Sequence, residues 1–341
     1  MQGYPRESDA GLPDVSHLHR LWSRHVASGR ERRVTAATDP LDPALDHLVI
    51  FGLGLGLHET FHYLFFQRPS FEAFQSWILA CNGGVIDPAR IARVNAAVAS
   101  ALGQGAPVRG LPADFVPVFD DSDLRCWAER GYVVLRNAVA PEACQAAERA
   151  IWEFLGMDPE SPDGWYDGAN LEGIMVTLVR HPAFDANRQS PRLRKAFAQL
   201  WGTDDLQVSV DRGGFNPPER PNDRFRGSDL HWDTSLARPI PLRLQGILYL
   251  TETPADQGAF RCVPGFHRRI ESWLTDLPPG ADPRAHDFSA EAVPIAGKAG
   301  DFVIWDARLP HGASPNRGTR PRLVQYIACH PPGEVDLRPW V

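Results

Sequence analysis

The spacing of apolar residues changes along this chain, and the changes divide it. Residues 1–40 are polar and rich in arginine with no clear period, and they read as a partly ordered arm. Over 44–100 the spacing is helical. Phe71, Phe74, Trp77 and Ile78 share one helix face, and Ile91, Val94 and Val98 repeat the pattern after Asp87-Pro88, a good helix start. Residues 103–117 are rich in Gly and Pro and read as a linker. This places the main boundary so that 1–118 form an arm and helical region, and 119–341 a second domain.

Beyond the boundary the texture changes. Ser122 is expected to cap a short helix ending near Gly131, followed by a strand over 132–135. Pro141 opens a helix running to about Phe154, and 192–201 form another. Strand patterns then dominate, at 206–210, 244–250, 259–263, 302–305 and 323–328, with Pro and Gly clustered between them. Many short strands separated by turns predict a sandwich or barrel with helices packed outside.

Composition narrows the chemistry. With 341 residues, 43% apolar and 23% charged, the chain is long enough to bury a substantial core and is not compositionally disordered. The longest apolar stretch, 48–57, is interrupted by Gly52, Gly54 and Gly56 and is too short to span a bilayer. The polar start, with Arg6, Glu7 and Asp9, has no signal-peptide pattern. A net charge of −7 argues against a general nucleic-acid binder. The five cysteines are scattered and form no C-x-x-C, which fits a reducing cytoplasm and leaves any metal to histidine and carboxylate.

The sharpest local pattern is His231-Trp232-Asp233. In a strand, side chains two apart project to one side, so an imidazole and a carboxylate leave the same face. With a third histidine they make a two-histidine, one-carboxylate triad, which leaves positions open on iron(II) for a chelating cosubstrate and dioxygen. Alone, the triplet is more often a surface strand with two polar residues. A second pattern is the apolar strand from Gly300 that turns through Arg308-Leu309-Pro310 to deliver His311 beside Gly312, where backbone approaches a bound group closely. Arg322 follows eleven residues after His311, and a guanidinium there is suited to a two-pronged grip on a carboxylate.

The order H-x-D, then G-x-x-x-x-x-P-G-x-H over 258–267, then G-D-x-V-I-W-D-x-R-L-P-H-G over 300–312, resembles the phytanoyl-CoA dioxygenase family of iron(II)/2-oxoglutarate oxygenases across roughly 122–330. The resemblance implies an α+β chain with a mainly β core. That core is a double-stranded β-helix, a cupin-like jelly roll, with flanking helices and the helical N-terminal region. It implies His231, Asp233 and His311 as iron ligands and Arg322 as the partner of the far carboxylate of 2-oxoglutarate, with Arg320 as the fallback by strand parity. Many relatives carry a serine two residues after the distal histidine. Here that position is Ala313, so either Ser314 or Thr319 substitutes or the contact is absent. Halogenating relatives replace the carboxylate ligand by a small residue, and Asp233 therefore implies oxygenation. The implied cofactors are iron(II), 2-oxoglutarate and O2. The implied substrate is a small molecule or a group carried on CoA or an acyl carrier, and the products include succinate and CO2.

Other patterns compete. His58-Glu59-Thr60-Phe61-His62 matches H-E-x-x-H, the zinc metallopeptidase pattern, but no third ligand follows and ordinary helix packing is the simpler reading. Gly52-Leu53-Gly54-Leu55-Gly56 suggests a dinucleotide loop, but its third glycine falls one residue early, which favours a tight turn. Trp232 and Trp305 are expected to point away from the ligands into the core, His267 to make a structural hydrogen bond, and Tyr249 to line the pocket and contribute to cofactor binding. Arg224, Arg226, Arg268 and Arg269 are expected either to meet an anionic substrate or to lie in solvent. A metal-binding jelly roll without catalysis and a cupin-type isomerase remain alternatives. Substrate identity and oligomeric state are not encoded legibly.

Overall fold

The computed structural model describes residues 15–27, 41–104, 110–166, 170–220, 229–332, 336 and 338–341. They fall into two units. One comprises 1–110 with 205–211 and 330–337, and the other 111–204, 212–329 and 338–341. Two later segments thus join the first unit, which a single boundary along the chain does not express. Of the expected linker, 105–109 lie outside the described residues, as do Arg224 and Arg226.

The first unit is helical: α1 (Leu18–Ala27), α2 (Asp42–Gly52), α3 (Leu57–His62), a π turn Tyr63–Gln67, α4 (Phe71–Cys81) and α5 (Pro88–Ala101). The helices bury Leu45, Val49, Leu53, Leu64, Phe74, Ile78, Val94 and Val98 in one core. Part of the expected arm is in fact α1, whose Leu18 and Leu21 are buried; their apolar stripe was obscured by the arginines and histidines around it. Those polar residues hold a buried ion cluster. Arg20 grips Asp42 with Nε at 2.5 Å and Nη2 at 2.7 Å, while His17, Arg24 and His25 converge on Asp46 at 2.7, 2.7 and 3.0 Å. Both carboxylates are almost fully buried. Burial alone would raise the Asp46 pKa. The hydrogen bonds from His17 and His25 and the charge of Arg24 outweigh it and hold the carboxyl at about 2.

The second unit opens with α6 (Asp121–Arg130) and β1 (Tyr132–Leu135), followed by α7 (Pro141–Leu155). The expected cap at Ser122 is corrected. Asp120 caps α6, accepting from the backbone N–H of Ser122 and Asp123 while Asp123 returns a bond to the backbone of Asp120. Both N–H groups donate to the single oxygen Oδ1, at 2.7 and 2.9 Å, so Asp120 satisfies two orphan donors of the first turn. At the other end Gly131 adopts φ +76, and a Cβ there would lie 2.5 Å from the His267 ring. His267 does form the expected structural bond, to the Ala128 carbonyl.

The remaining elements are β2 (Leu171–Glu172), β3 (Met175–Val176), α8 (Pro182–Arg188), α9 (Pro191–Trp201), β4 (Gln207–Val208), β5 (Gly213–Asn216), β6 (Leu244–Tyr249), β7 (Phe260–Cys262), α10 (Ile270–Asp276), β8 (Val293–Ile295), β9 (Phe302–Asp306), β10 (His311–Ala313), β11 (Arg322–Tyr326) and β12 (Cys329–His330). The strand expected over 206–210 shrinks to β4, within the first unit's segment.

A seven-stranded antiparallel sheet runs β1-β9-β6-β11-β5-β3-β2, and a smaller sheet runs β10-β7-β8. The chain is therefore α+β with a large antiparallel sheet. Period-two alternation gives the large sheet two buried faces. One carries Ile247, Tyr249, Val303, Trp305 and Val324, which share a core with Phe260, Cys262 and Ile295 of the small sheet. The other packs against helices, with Phe302 edge-on to Phe197 and Phe215 edge-on to Trp152. Gly246 permits this, because a Cβ there would lie 2.3 Å from the Phe302 ring and 2.6 Å from the Ile327 carbonyl.

Asp46 yields a pH-dependent expectation. Its folded pKa of about 2 lies below the ordinary 3.8, so its contribution is complete above about pH 4 and is lost as pH falls towards 2. Asp46→Asn should cost on the order of 2 kcal/mol near pH 7. Denaturant unfolding of both proteins should show the difference constant at neutral pH and shrinking below about pH 4.

Candidate metal centre

The centre is assembled where the small sheet meets a loop. After β9 the chain turns at Asp306, whose carboxylate holds the Arg308 guanidinium at 2.6–3.1 Å and whose carbonyl accepts from Leu309 at 2.9 Å. This turn feeds His311 into β10, opposite Cys262 of β7. His231 is not in a regular strand, contrary to expectation. It forms an isolated antiparallel bridge with His311, each backbone N–H donating to the other carbonyl at 3.0 Å. That one bridge replaces the expected strand in orienting the triplet.

Each imidazole is fixed by its own backbone. Nδ1 of His231 lies 2.8 Å from the Asp229 carbonyl, and Nδ1 of His311 lies 2.9 Å from the Leu309 carbonyl. A carbonyl only accepts, so both Nδ1 atoms carry a proton, and Nε2 is the atom that each ring turns to Asp233. His311 Nε2 is 3.3 Å from Oδ2, and His231 Nε2 is 3.5 Å from Oδ1. The three residues offer ligand atoms all within 4.8 Å of one another, and they are the one such group of His, Cys, Asp or Glu found among the described residues. Partial desolvation alone would raise the Asp233 pKa. The His311 hydrogen bond, the two imidazoles and the Gln245 amide outweigh this and hold the carboxyl well below the usual carboxylate range. It is therefore an anion at any physiological pH, as a metal ligand must be.

Arg322 opens β11, pairs with Asn216 of β5 and is completely buried. Its Nε and Nη2 atoms have no hydrogen-bond partner. Tyr249 is nearby, with its phenol held by backbone: the hydroxyl donates to the Ile295 carbonyl at 2.6 Å and accepts from the Phe260 N–H at 3.0 Å. Burial pushes its pKa up to about 12, with Arg322 opposing the rise. Arg320 lies just before β11, is largely exposed and bonds outward to Pro159 and Glu160. Ser314 is buried, its N–H donating to the Ala259 carbonyl and its own carbonyl accepting from the Asn216 amide. Thr319 is exposed.

His58 and His62 are exposed on α3, their rings 6.2 Å apart, and no third ligand gathers with them among the described residues. Trp232 enters the core as expected and donates to the Arg308 carbonyl at 2.9 Å. Trp305 is likewise in the core, as expected, but it does not point away from the ligands. Its ring lies 5.1 Å from that of His311, because β9 presents it on the face shared with the small sheet.

Sequence reasoning missed four residues. Gln245 donates to Asp233 Oδ2 at 2.7 Å, and its position as the lone polar residue in apolar β6 was a usable signal. Asn216 and Asn316 brace the connection from β10 to β11: Asn216 bonds the Ser314 carbonyl, and Asn316 bonds the carbonyls of Asn216 and Arg320. Arg284 donates to the carbonyls of Trp232 and Thr234, on either side of Asp233, and to that of Val341. Nothing local in sequence marks these three.

The sequence profile of the phytanoyl-CoA dioxygenase (PhyH) family matches residues 127–324, more than half of the chain. The chain belongs to the phytanoyl-CoA dioxygenase family. It is accordingly a 2-oxoglutarate-dependent non-haem iron oxygenase. Among its relatives, a putative phytanoyl-CoA dioxygenase of Dictyostelium discoideum is 23% identical over 258 residues, covering 60% of this chain and 74% of that protein. The ectoine dioxygenase of Bordetella bronchiseptica is 24% identical over 235 residues, covering 62% of this chain and 76% of that protein. Among solved structures, AviO1 from Streptomyces viridochromogenes Tue57 is similar at 20% identity and a TM-score of 0.45, covering 62% of this chain and 95% of that one. The donor set also fits the implied metal. Two neutral imidazoles and one carboxylate are the ligands that suit iron(II) with positions left open, and the orphaned Arg322 atoms fit a carboxylate cosubstrate.

Arg284 should govern the loop that carries Asp233. In Arg284→Ala, hydrogen exchange read by mass spectrometry should rise about tenfold or more in peptides covering 232–236, while β6 and β9 remain protected.

Proposed function

We propose that this enzyme oxidises an unactivated C–H bond of a small-molecule or carrier-bound substrate, with hydroxylation as the outcome and succinate and CO2 as co-products. His231, Asp233 and His311 would hold the iron, and Arg322 would receive the far carboxylate of 2-oxoglutarate. Bound iron with 2-oxoglutarate supplies the activation of dioxygen; the chain's own residues supply position and surroundings. The large sheet and the small sheet are read as the two sides of a double-stranded β-helix, which puts the triad and Arg322 in one barrel.

The observation that carries the reading is Arg322. A guanidinium with no exposed surface and two unpartnered nitrogens is costly unless an anion arrives. A dicarboxylate chelating a metal at the triad has a second carboxylate free to do this. The Nδ1–carbonyl bonds orient both rings so that Nε2 is the atom offered to a metal. The Tyr249 phenol, held neutral, lends that pocket no competing negative charge. Arg320 is assigned no contact with cosubstrate, since its side chain is engaged at the surface. The retained Asp233 supports oxygenation over halogenation, because a carboxylate fills the position a halide would need. Among the described residues no helix is long and apolar enough to cross a membrane.

The test is an anaerobic titration of metal-free protein with iron(II) and 2-oxoglutarate, followed by the weak visible charge-transfer band of the chelate. The band should form in the wild type and be lost in Asp233→Ala. Arg322→Ala should weaken 2-oxoglutarate binding by roughly a hundredfold while leaving iron affinity nearly unchanged, with Arg322→Lys between the two. No band at saturating cosubstrate would sink the reading.

A further inference from the structure

We propose that Trp305 and Gln245 form a positioning relay that fixes the orientation of the Asp233 carboxylate. The inference rests on the triad reading above and concerns what keeps that triad in shape. Gln245 of β6 and Trp305 of β9 are direct cross-strand partners. The indole N–H donates to Gln245 Oε1 at 3.0 Å, and Gln245 Nε2 donates to Asp233 Oδ2 at 2.7 Å.

An indole nitrogen only donates, so it dictates which end of the amide faces it. Reversing the amide would set Nε2 against the indole N–H and Oε1 against a carboxylate, two repulsive contacts in place of two bonds. Trp305 therefore turns a group with two near-equivalent orientations into one that presents its N–H to Asp233. Trp305 itself has little freedom. It is buried, with the Phe260 ring at 4.4 Å and the His311 ring at 5.1 Å.

Asp233 needs this support more than the histidines do. It lies in a loop with its side chain 51% exposed, whereas each imidazole is bonded to a carbonyl of its own segment. Among the described residues its side-chain partners are the two histidines and Gln245. When the histidines turn to a metal, Gln245 is the contact that still holds Oδ2. Neither Gln245 nor Trp305 is a ligand; both act through Asp233.

The experiment measures iron(II) affinity of the full chain by anaerobic chelator competition, alongside the melting temperature of the metal-free protein. The set is wild type, Asp233→Ala, Gln245→Leu, Trp305→Phe and the Gln245/Trp305 double variant. Gln245→Leu and Trp305→Phe should each weaken iron binding by about tenfold or more. The double variant should be no weaker than the worse single one, because both break the same relay. The metal-free melting temperature of Gln245→Leu should change little. Iron affinity of Gln245→Leu within twofold of wild type, or single effects that multiply in the double variant, would overturn the relay. If Trp305→Phe fails to fold, Gln245→Leu decides alone. Asp233→Ala separates the two claims: if it binds iron as wild type does, the triad reading fails, and if it loses iron while Gln245→Leu does not, only the relay fails.

Discussion

The backbones of His231 and His311 exchange two hydrogen bonds of 3.0 Å, and the rest of the centre depends on that pairing. Residues directly opposite in an antiparallel pair send their side chains to the same side. The two imidazoles consequently stand together, with ring centroids 4.9 Å apart. One imidazole belongs to the small sheet and the other to a loop, so the bridge is also what makes the loop part of the sheet. Its neighbours secure it. Trp232 is sunk in the core and tied to Arg308, and Arg284 spans the carbonyls around Asp233.

The second constraint is electrostatic. The chain buries a guanidinium with two unpartnered nitrogens, which is a poor arrangement for stability alone. Elsewhere the chain treats buried charge differently. Asp42 and Asp46 are surrounded by Arg20, Arg24, His17 and His25, so that the charges cancel within the fold. The contrast between this structural ion cluster and the lone buried guanidinium supports the proposed role of Arg322 in holding a carboxylate.

Much of this was legible in sequence for identifiable reasons. The strands around His311 and Arg322 are apolar runs that end at turn residues, and such runs become the buried strands β9 and β11. The His231-Trp232-Asp233 triplet was legible as chemistry but misread as structure, because one backbone bridge gives the same geometry as a strand. Trp305 was misjudged because parity alone does not say which face of a two-sided buried strand meets the small sheet. Arg284, Asn216 and Asn316 act through backbone carbonyls far away in sequence, and no local pattern reports such bonds. The α1 helix was lost among charges that serve buried carboxylates rather than solvent.

The most direct measurement is anomalous diffraction at the iron edge from crystals grown without oxygen in iron(II) and 2-oxoglutarate. The account predicts one strong peak bounded by His231 Nε2, His311 Nε2 and the Asp233 carboxylate, with a 2-oxoglutarate carboxylate on the Arg322 guanidinium. A principal peak at His58 and His62, or a cosubstrate bound away from Arg322, would contradict it.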